Sequence, residues 1–193
     1  MPLASRKKSE LQRTMEGSVS EGVAFGLMVA LGETSFPAFV LAAGLGEIAS
    51  GLVVTLPLLA GATLQLFSSR FLPLMGSYRR WVVTFTLLQG ISLSPLIYFA
   101  FNGGLTLTTM FTCAILYWGA GMLAGPCWNT WITSIVPTRI QTHFFARRTR
   151  GMQIASLIGF LVGGFALRYL PNGSIATAAF APLFAGALLA RGF

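Results

Sequence analysis

The chain alternates long apolar runs with short polar or basic breaks. Six such runs, each close to twenty residues, fill it after Ser20: about 23–44, 48–67, 81–101, 105–132, 152–170 and 174–191. At about 1.5 Å rise per residue, a helix of that length matches the ~30 Å hydrocarbon layer of a bilayer. A helix is the element expected, because inside lipid every backbone N–H and C=O must be satisfied within the segment. The pattern therefore predicts an all-α integral membrane protein, a six-transmembrane-helix bundle over residues 21–193. Residues 1–20 read as a short, mobile tail. The apolar run after it is too long for the core of a secretion signal, and no small-residue cleavage site closes it. The first helix is expected to remain as a signal-anchor.

Composition agrees with that pattern. Charged residues make up 9% of the chain, 22 of its 193 residues are Gly, and mean hydropathy is +0.73. A soluble domain carries about a quarter charged residues; here lipid replaces the polar coat. The connections 45–47, 102–104 and 171–173 are short, which makes sequential helices antiparallel neighbours.

The formal net charge of +8 and pI near 10.5 raise the question of a nucleic-acid partner, and position answers it. Arg6, Lys7, Lys8 and Arg13 precede helix 1. Arg70, Arg79 and Arg80 lie at the helix 2–3 junction, Arg139, Arg147, Arg148 and Arg150 at the helix 4–5 junction, and Arg191 at the end of helix 6. Twelve of the 13 Lys and Arg thus share one side, which the positive-inside rule assigns to the cytoplasm together with both termini. The expected location is the plasma (inner) membrane. Aromatic and base-reading residues are not interleaved with these charges, so no nucleic-acid partner is expected; the lipid bilayer, with its anionic headgroups, is. Arg168, alone on the outer side, reads as snorkelling to the headgroups, and His143 as solvated in a basic loop.

The helix 2–3 junction, residues 71–81, holds Gly76, Arg79 and Arg80 directly before an apolar run. It resembles the cytoplasmic loop motif of the major facilitator superfamily of transporters: a Gly, an Asp, a basic residue, then Gly-x-Arg-Arg. The Asp is absent here, and one extra residue separates Gly76 from the basic pair. Residues 125–148, with Gly125, Pro126, Pro137, Arg147 and Arg148, resemble the same superfamily's first half. Gly159, Gly163 and Gly164 are similar to its glycine-rich antiporter motif, without the accompanying Pro. The resemblance covers about residues 20–193. It implies one half of a major facilitator fold, and so a secondary active transporter, or its N-terminal half, moving a small solute by alternating access. A second six-helix half, or a second copy of this chain, is the implied partner; a fragment or truncated gene product is the other expectation. Gly76, Arg79, Arg80, Arg147 and Arg148 are candidates for a cytoplasmic gate, with orientation by positive charge alone as the plainer alternative.

Glu33 is the outstanding candidate for chemistry. It lies near the middle of helix 1, where a charged side chain costs ~2.5–3.5 kcal/mol on insertion scales and normally faces a cavity or a partner. Pro37 has no N–H, so the Glu33 carbonyl loses its donor four residues on and the helix is expected to bend there. An ionisable carboxyl beside a freed carbonyl suits an ion or substrate contact and proton coupling; a hydrogen bond made only for packing is the alternative. Gln65, Gln89 and Asn129 are further candidates for the solute path, although interhelical hydrogen bonds of ~0.6 kcal/mol explain such groups equally well. The tryptophans read as interface anchors or packing.

Three rows of small residues, Gly22/Gly26/Ala30, Gly121/Gly125 and Ala155/Gly159/Gly163, predict close helix contacts. Cys113 and Cys127 sit in one helix ~21 Å apart, beyond disulfide reach. One His and no carboxylate cluster, HExxH or nucleophile elbow point away from an enzyme, and no cofactor or metal is expected. The reading opposed to a transporter is a non-transporting membrane bundle that acts as an assembly or regulatory partner.

Overall fold

Residues 2–169 and 176–192 are described in a computed structural model, at 2–10, 69 and 74 through the backbone alone. Among them every regular element is a helix. The order is α1 (Pro2–Leu31), a 3-10 turn (Glu33–Ser35), α2 (Phe36–Ala42), α3 (Glu47–Leu66), α4 (Ser68–Met75), α5 (Tyr78–Ile91) and α6 (Ser94–Asn102). Then come α7 (Leu107–Ile135), α8 (Thr138–Tyr169), a second 3-10 stretch (Ala176–Phe180) and α9 (Ala181–Arg191). Five helical stretches are long and apolar enough to cross a membrane: Leu11–Ala42, Glu47–Leu66, Tyr78–Asn102, Leu107–Ile135 and Thr138–Tyr169. The sixth predicted run forms a shorter apolar stretch, Ala176–Arg191. Its predicted start at 174, and the 171–173 connection, lie outside the described residues.

Three apolar runs are broken, and proline places each break. Pro37, Pro95 and Pro182 occupy the first turns of α2, α6 and α9. A first-turn proline costs a helix nothing, but its missing N–H prevents the preceding helix from running through.

Two expectations need correction at the other end of the bundle. Residues 2–20 are not a loose tail; they are the first part of α1. Met15 and Val19, one turn apart, pack with Phe144, Ile132 and Val136, so the amphipathic stripe continues beyond the apolar run. Likewise the helix 4–5 junction is not a basic loop, because α8 begins at Thr138 rather than near 152. No Gly or Pro interrupts 138–150, and buried Phe144 supplies the inward contact. His143, Arg147 and Arg150 stand exposed on that helix.

The principal packing pairs are α1 with α8, α3 with α7, and α5 with α7, while α9 lies against α1, α5 and α6. The first and third small-residue rows meet in the α1–α8 seam. A Cβ on Gly159 would lie 2.6 Å from that of Ala30, and Ser156 Oγ donates to the Gly26 carbonyl at 3.2 Å. Phe36, Phe39, Phe184 and Tyr117 fill the core beside the broken first helix. Outward, α8 presents Ile154, Leu157, Ile158, Leu161 and Phe165, all exposed, a surface suited to lipid rather than water. Antiparallel alternation gathers the start of α1, the α4–α5 and α7–α8 junctions and the end of α9 at one basic end.

Candidate functional site

The break after α1 produces the first polar cluster. Thr34 Oγ1 donates to the Ala30 carbonyl and Ser35 Oγ to the Leu31 carbonyl, each at 2.7 Å. These hydroxyls satisfy backbone oxygens that the interrupted helix leaves without amides. The Glu33 carbonyl, expected to be free, accepts from the Phe36 N–H instead; the 3-10 turn supplies at three residues the donor that Pro37 withholds at four. The Glu33 carboxyl does have a specific partner. Fully buried Tyr117 on α7 donates its phenol to Glu33 Oε2 at 3.2 Å, and the Phe36 ring packs edge-on against Tyr117 with centroids 5.3 Å apart.

A larger polar cluster lies toward the basic end. Glu21 on α1 bridges two arginines, its Oε2 accepting from Arg148 Nη2 of α8 at 2.6 Å and its Oε1 from Arg191 Nη1 of α9 at 3.0 Å. Arg191 also donates Nε to Gln89 Oε1 of α5 at 3.0 Å, and Arg148 donates Nε to the Ser18 carbonyl at 3.2 Å. Arg148 stacks over Trp128 of α7, its guanidinium carbon 4.1 Å from the ring centroid, and Arg191 lies over Phe25 at 5.1 Å. Such cation–π contacts strengthen as water is removed. Glycine makes room for the cluster. A Cβ on Gly22 would lie 2.8 Å from Arg148 Cγ, and one on Gly121 would lie 2.5 Å from Gln89 Nε2.

Four of the five membrane-crossing stretches, together with α9, thus send side chains to one place, and they leave a cavity of about 260 Å³ there. Glu21, Phe25, Trp128, Asn129, Arg148 and Arg191 line it. An adjoining cavity of about 490 Å³ shares Glu21, Trp128 and Arg191 and reaches Ser18 and Arg79. The positions in the second small-residue row, Gly121 and Gly125, face the first cavity.

The predicted candidates therefore separate. Asn129 and Arg148 line the cavity, and Gln89 stands behind it as the acceptor for Arg191. Glu33 does not join them; it lies twelve residues beyond Glu21, ~18 Å at helical rise. Gln65 is half-buried on α3 and lines neither cavity. Gly76 ends α4 in a left-handed conformation at φ +65°, as a helix-terminating glycine does. Arg79 and Arg80 are exposed beside it and border a surface recess; exposed Arg147 belongs to none of these cavities.

Sequence reasoning missed Tyr117, Glu21 and Arg191. Glu21 falls between a tail that ends at residue 20 and an apolar run that starts at Val23, where the hydropathy pattern gives it no role, and Arg191 counts only toward sidedness. The readable signal was helical spacing: Ser18, Glu21 and Phe25 fall on one face at steps of three and four. Trp81 proves to be a packing group, donating Nε1 to the Leu123 carbonyl at 2.9 Å. Cys113 and Cys127 are both buried with free thiols. Among the described residues no three His, Cys, Asp or Glu side chains are grouped to hold a metal.

The fold and these clusters define an all-helical protein whose long apolar helices enclose two polar sites, one neutral-to-acidic and one rich in arginine. Comparisons with protein-family models, with curated proteins and with solved structures find nothing that matches this chain.

Proposed function

We propose that the chain is a six-helix half of a secondary active transporter of the major facilitator type, moving a small solute by alternating access with proton coupling. The observation that carries the reading is the Glu33–Tyr117 pair, a carboxyl held by a phenol beside a break in the first apolar helix. Acidic groups at membrane depth are costly, and proton relays are among the uses that repay them. Broken helices beside such a group are the usual construction of transporter sites.

The packing gives further support. Exchanging the first three apolar segments with the last three turns the α1–α8 pair into the α7–α3 pair. The same exchange turns the α1–α9 pair into the α7–α5 pair. Transporter halves are commonly built from inverted three-helix repeats of this kind. The third segment of each set also breaks in the same manner, at Ser94-Pro95-Leu96 and Ala181-Pro182-Leu183. In this reading the basic end is cytoplasmic, and a second half or a second copy supplies the other wall of the path.

The test is uptake into reconstituted vesicles, with a panel of small solutes and with or without a pH gradient. A solute driven by the gradient is expected, and Glu33→Gln should abolish that driven component while the protein still inserts; Tyr117→Phe should reduce it. Gradient-driven uptake that Glu33→Gln leaves unchanged refutes the coupling role. No uptake of any solute by correctly inserted protein favours the non-transporting bundle.

A further inference from the structure

We propose that the arginine-rich cavity binds a small oxyanion carried on an apolar body, such as a single-ring or short-chain carboxylate, through Arg148 and Arg191. The inference rests on the transporter reading only in making this anion the cargo; binding itself stands apart from transport.

The first argument is charge. Arg148 and Arg191 share one carboxylate, Glu21, and Arg79 borders the adjoining cavity. Among the described residues no other acidic side chain lines either cavity, and the whole chain holds only 5 acidic residues. A pair of guanidinium groups withdrawn from water beside a single carboxylate leaves one positive charge to be balanced, and an anion placed between them is the direct remedy. The surrounding basic residues at this end raise the local concentration of anions.

The second argument is hydrogen-bonding capacity. A guanidinium presents five N–H donors in a planar fork that fits carboxylate or phosphate oxygens in pairs. The described bonds of Arg148 use Nε and Nη2, and those of Arg191 use Nε and Nη1. The Nη1 group of Arg148 and the Nη2 group of Arg191 retain donors. Ser18 Oγ, on a residue lining the adjoining cavity, is buried and without a hydrogen-bond partner among the described residues. Buried hydroxyls are nearly always satisfied, so this one marks an incomplete polar environment beside the arginine pair.

Shape completes the description of the ligand. Phe25, Val82 and Trp128 give the cavity apolar walls beside the cationic pair. Its volume of about 260 Å³ falls near the lower bound of small-molecule sites, which suits one ring or a short chain. Glu21 then acts as a built-in competitor: it occupies the donors that an incoming carboxylate needs, and the ligand's oxyanion replaces part of its role.

The competitor gives the proposal a test with two signs. Full-length protein in uncharged detergent is titrated with benzoate by calorimetry, and in a parallel arm with phosphatidylglycerol added to the micelles, because a lipid headgroup offers the same oxyanion. Saturable benzoate binding is expected, at least tenfold weaker in Arg148→Gln, intermediate in Arg148→Lys, and tighter in Glu21→Gln. A structural role alone would make Glu21→Gln weaken binding along with stability. Protection by phosphatidylglycerol but not benzoate, lost in Arg148→Gln, supports the oxyanion site and identifies lipid as the source. Benzoate and lipid both failing to bind, or binding unchanged by Arg148→Gln, overturns the proposal, and a melting curve for each variant confirms that folded protein was titrated. Binding without uptake in vesicles sinks the transporter reading alone, and uptake of uncharged solutes by protein that binds no anion sinks this inference alone.

Discussion

Replacing Glu21 by Gln should destabilise the protein by about 2–3 kcal/mol. The change keeps the side chain's volume and one carbonyl oxygen, so packing is preserved and only the shared negative charge is lost. The magnitude follows from burial. Breaking a fully buried ion pair costs about 3–5 kcal/mol, mostly because the surviving charge is left uncompensated, whereas an exposed pair is worth about 0–1 kcal/mol. Arg191 is close to the first limit, with 7% of its side chain exposed, and Arg148 is near it at 14%. Glu21 itself is 28% exposed, so water softens the loss and places it below the buried limit. For a chain of this length 1 kcal/mol moves the melting temperature by about 2–4 °C, giving a drop of about 4–12 °C. Melting in detergent followed by tryptophan fluorescence reads it, since Trp128 lies under Arg148. Glu16→Gln is the control, because Glu16 is exposed on the same helix and should shift the midpoint by less than about 1 °C. A Glu21→Gln midpoint equally close to wild type would refute the claim that this network is buried and bridging.

The α1–α8 seam makes a steric prediction. Gly159→Leu forces a side chain into Ala30 and should cost at least about 1–3 kcal/mol of stability, the range for overpacking. Gly164→Ala on the same helix meets open space and should be neutral in the same melt. At the basic end, Val19→Asp places a charge against Phe144 and Ile132. It should open the first turns of α1 to proteolysis after Arg13, while the apolar helices stay protected; cleavage no faster than in wild type would mean the extension is held by something else.

Much of the fold was legible because lipid imposes a simple code. Apolar length fixed the helices to within a few residues where the flanks were glycine or polar, as at Gly46 before α3 and at Gly103 and Gly104 before α7. The code failed where a helix leaves the membrane. Hydropathy ends α8 near Met152, yet the helix continues back to Thr138, because helix formation depends on backbone continuity and a covered stripe rather than on mean polarity. Two of the three small-residue rows form the close contact their spacing predicts, whereas Gly121 and Gly125 open onto the cavity instead; the pairing is not legible, since a spacing of four residues marks a face without naming the helix it meets. Gly22, Gly26 and Ala30 needed the three-dimensional arrangement to be matched with Ser156 and Gly159.

The candidate site was legible only in part, and the reason lies in the arginines. Counting basic residues by side treats each as a solvated marker, and for Arg79, Arg80 and Arg147, all exposed, that treatment is adequate. Arg148 and Arg191 carry the same charge at the same end, yet they are turned inward onto Glu21, Trp128 and Phe25. What separates the two kinds is the presence of an acceptor and an aromatic face on neighbouring helices, together with a glycine that makes space. Gly22 clears Arg148, and Gly121 clears the glutamine that holds Arg191. An arginine that serves topology needs only a nearby aqueous phase, whereas one withdrawn into a bundle must have every part of its environment provided by other residues. Glu21 is therefore the informative residue: a lone carboxylate inside the basic end has no role in orienting the chain, and its two arginine partners are what give it one.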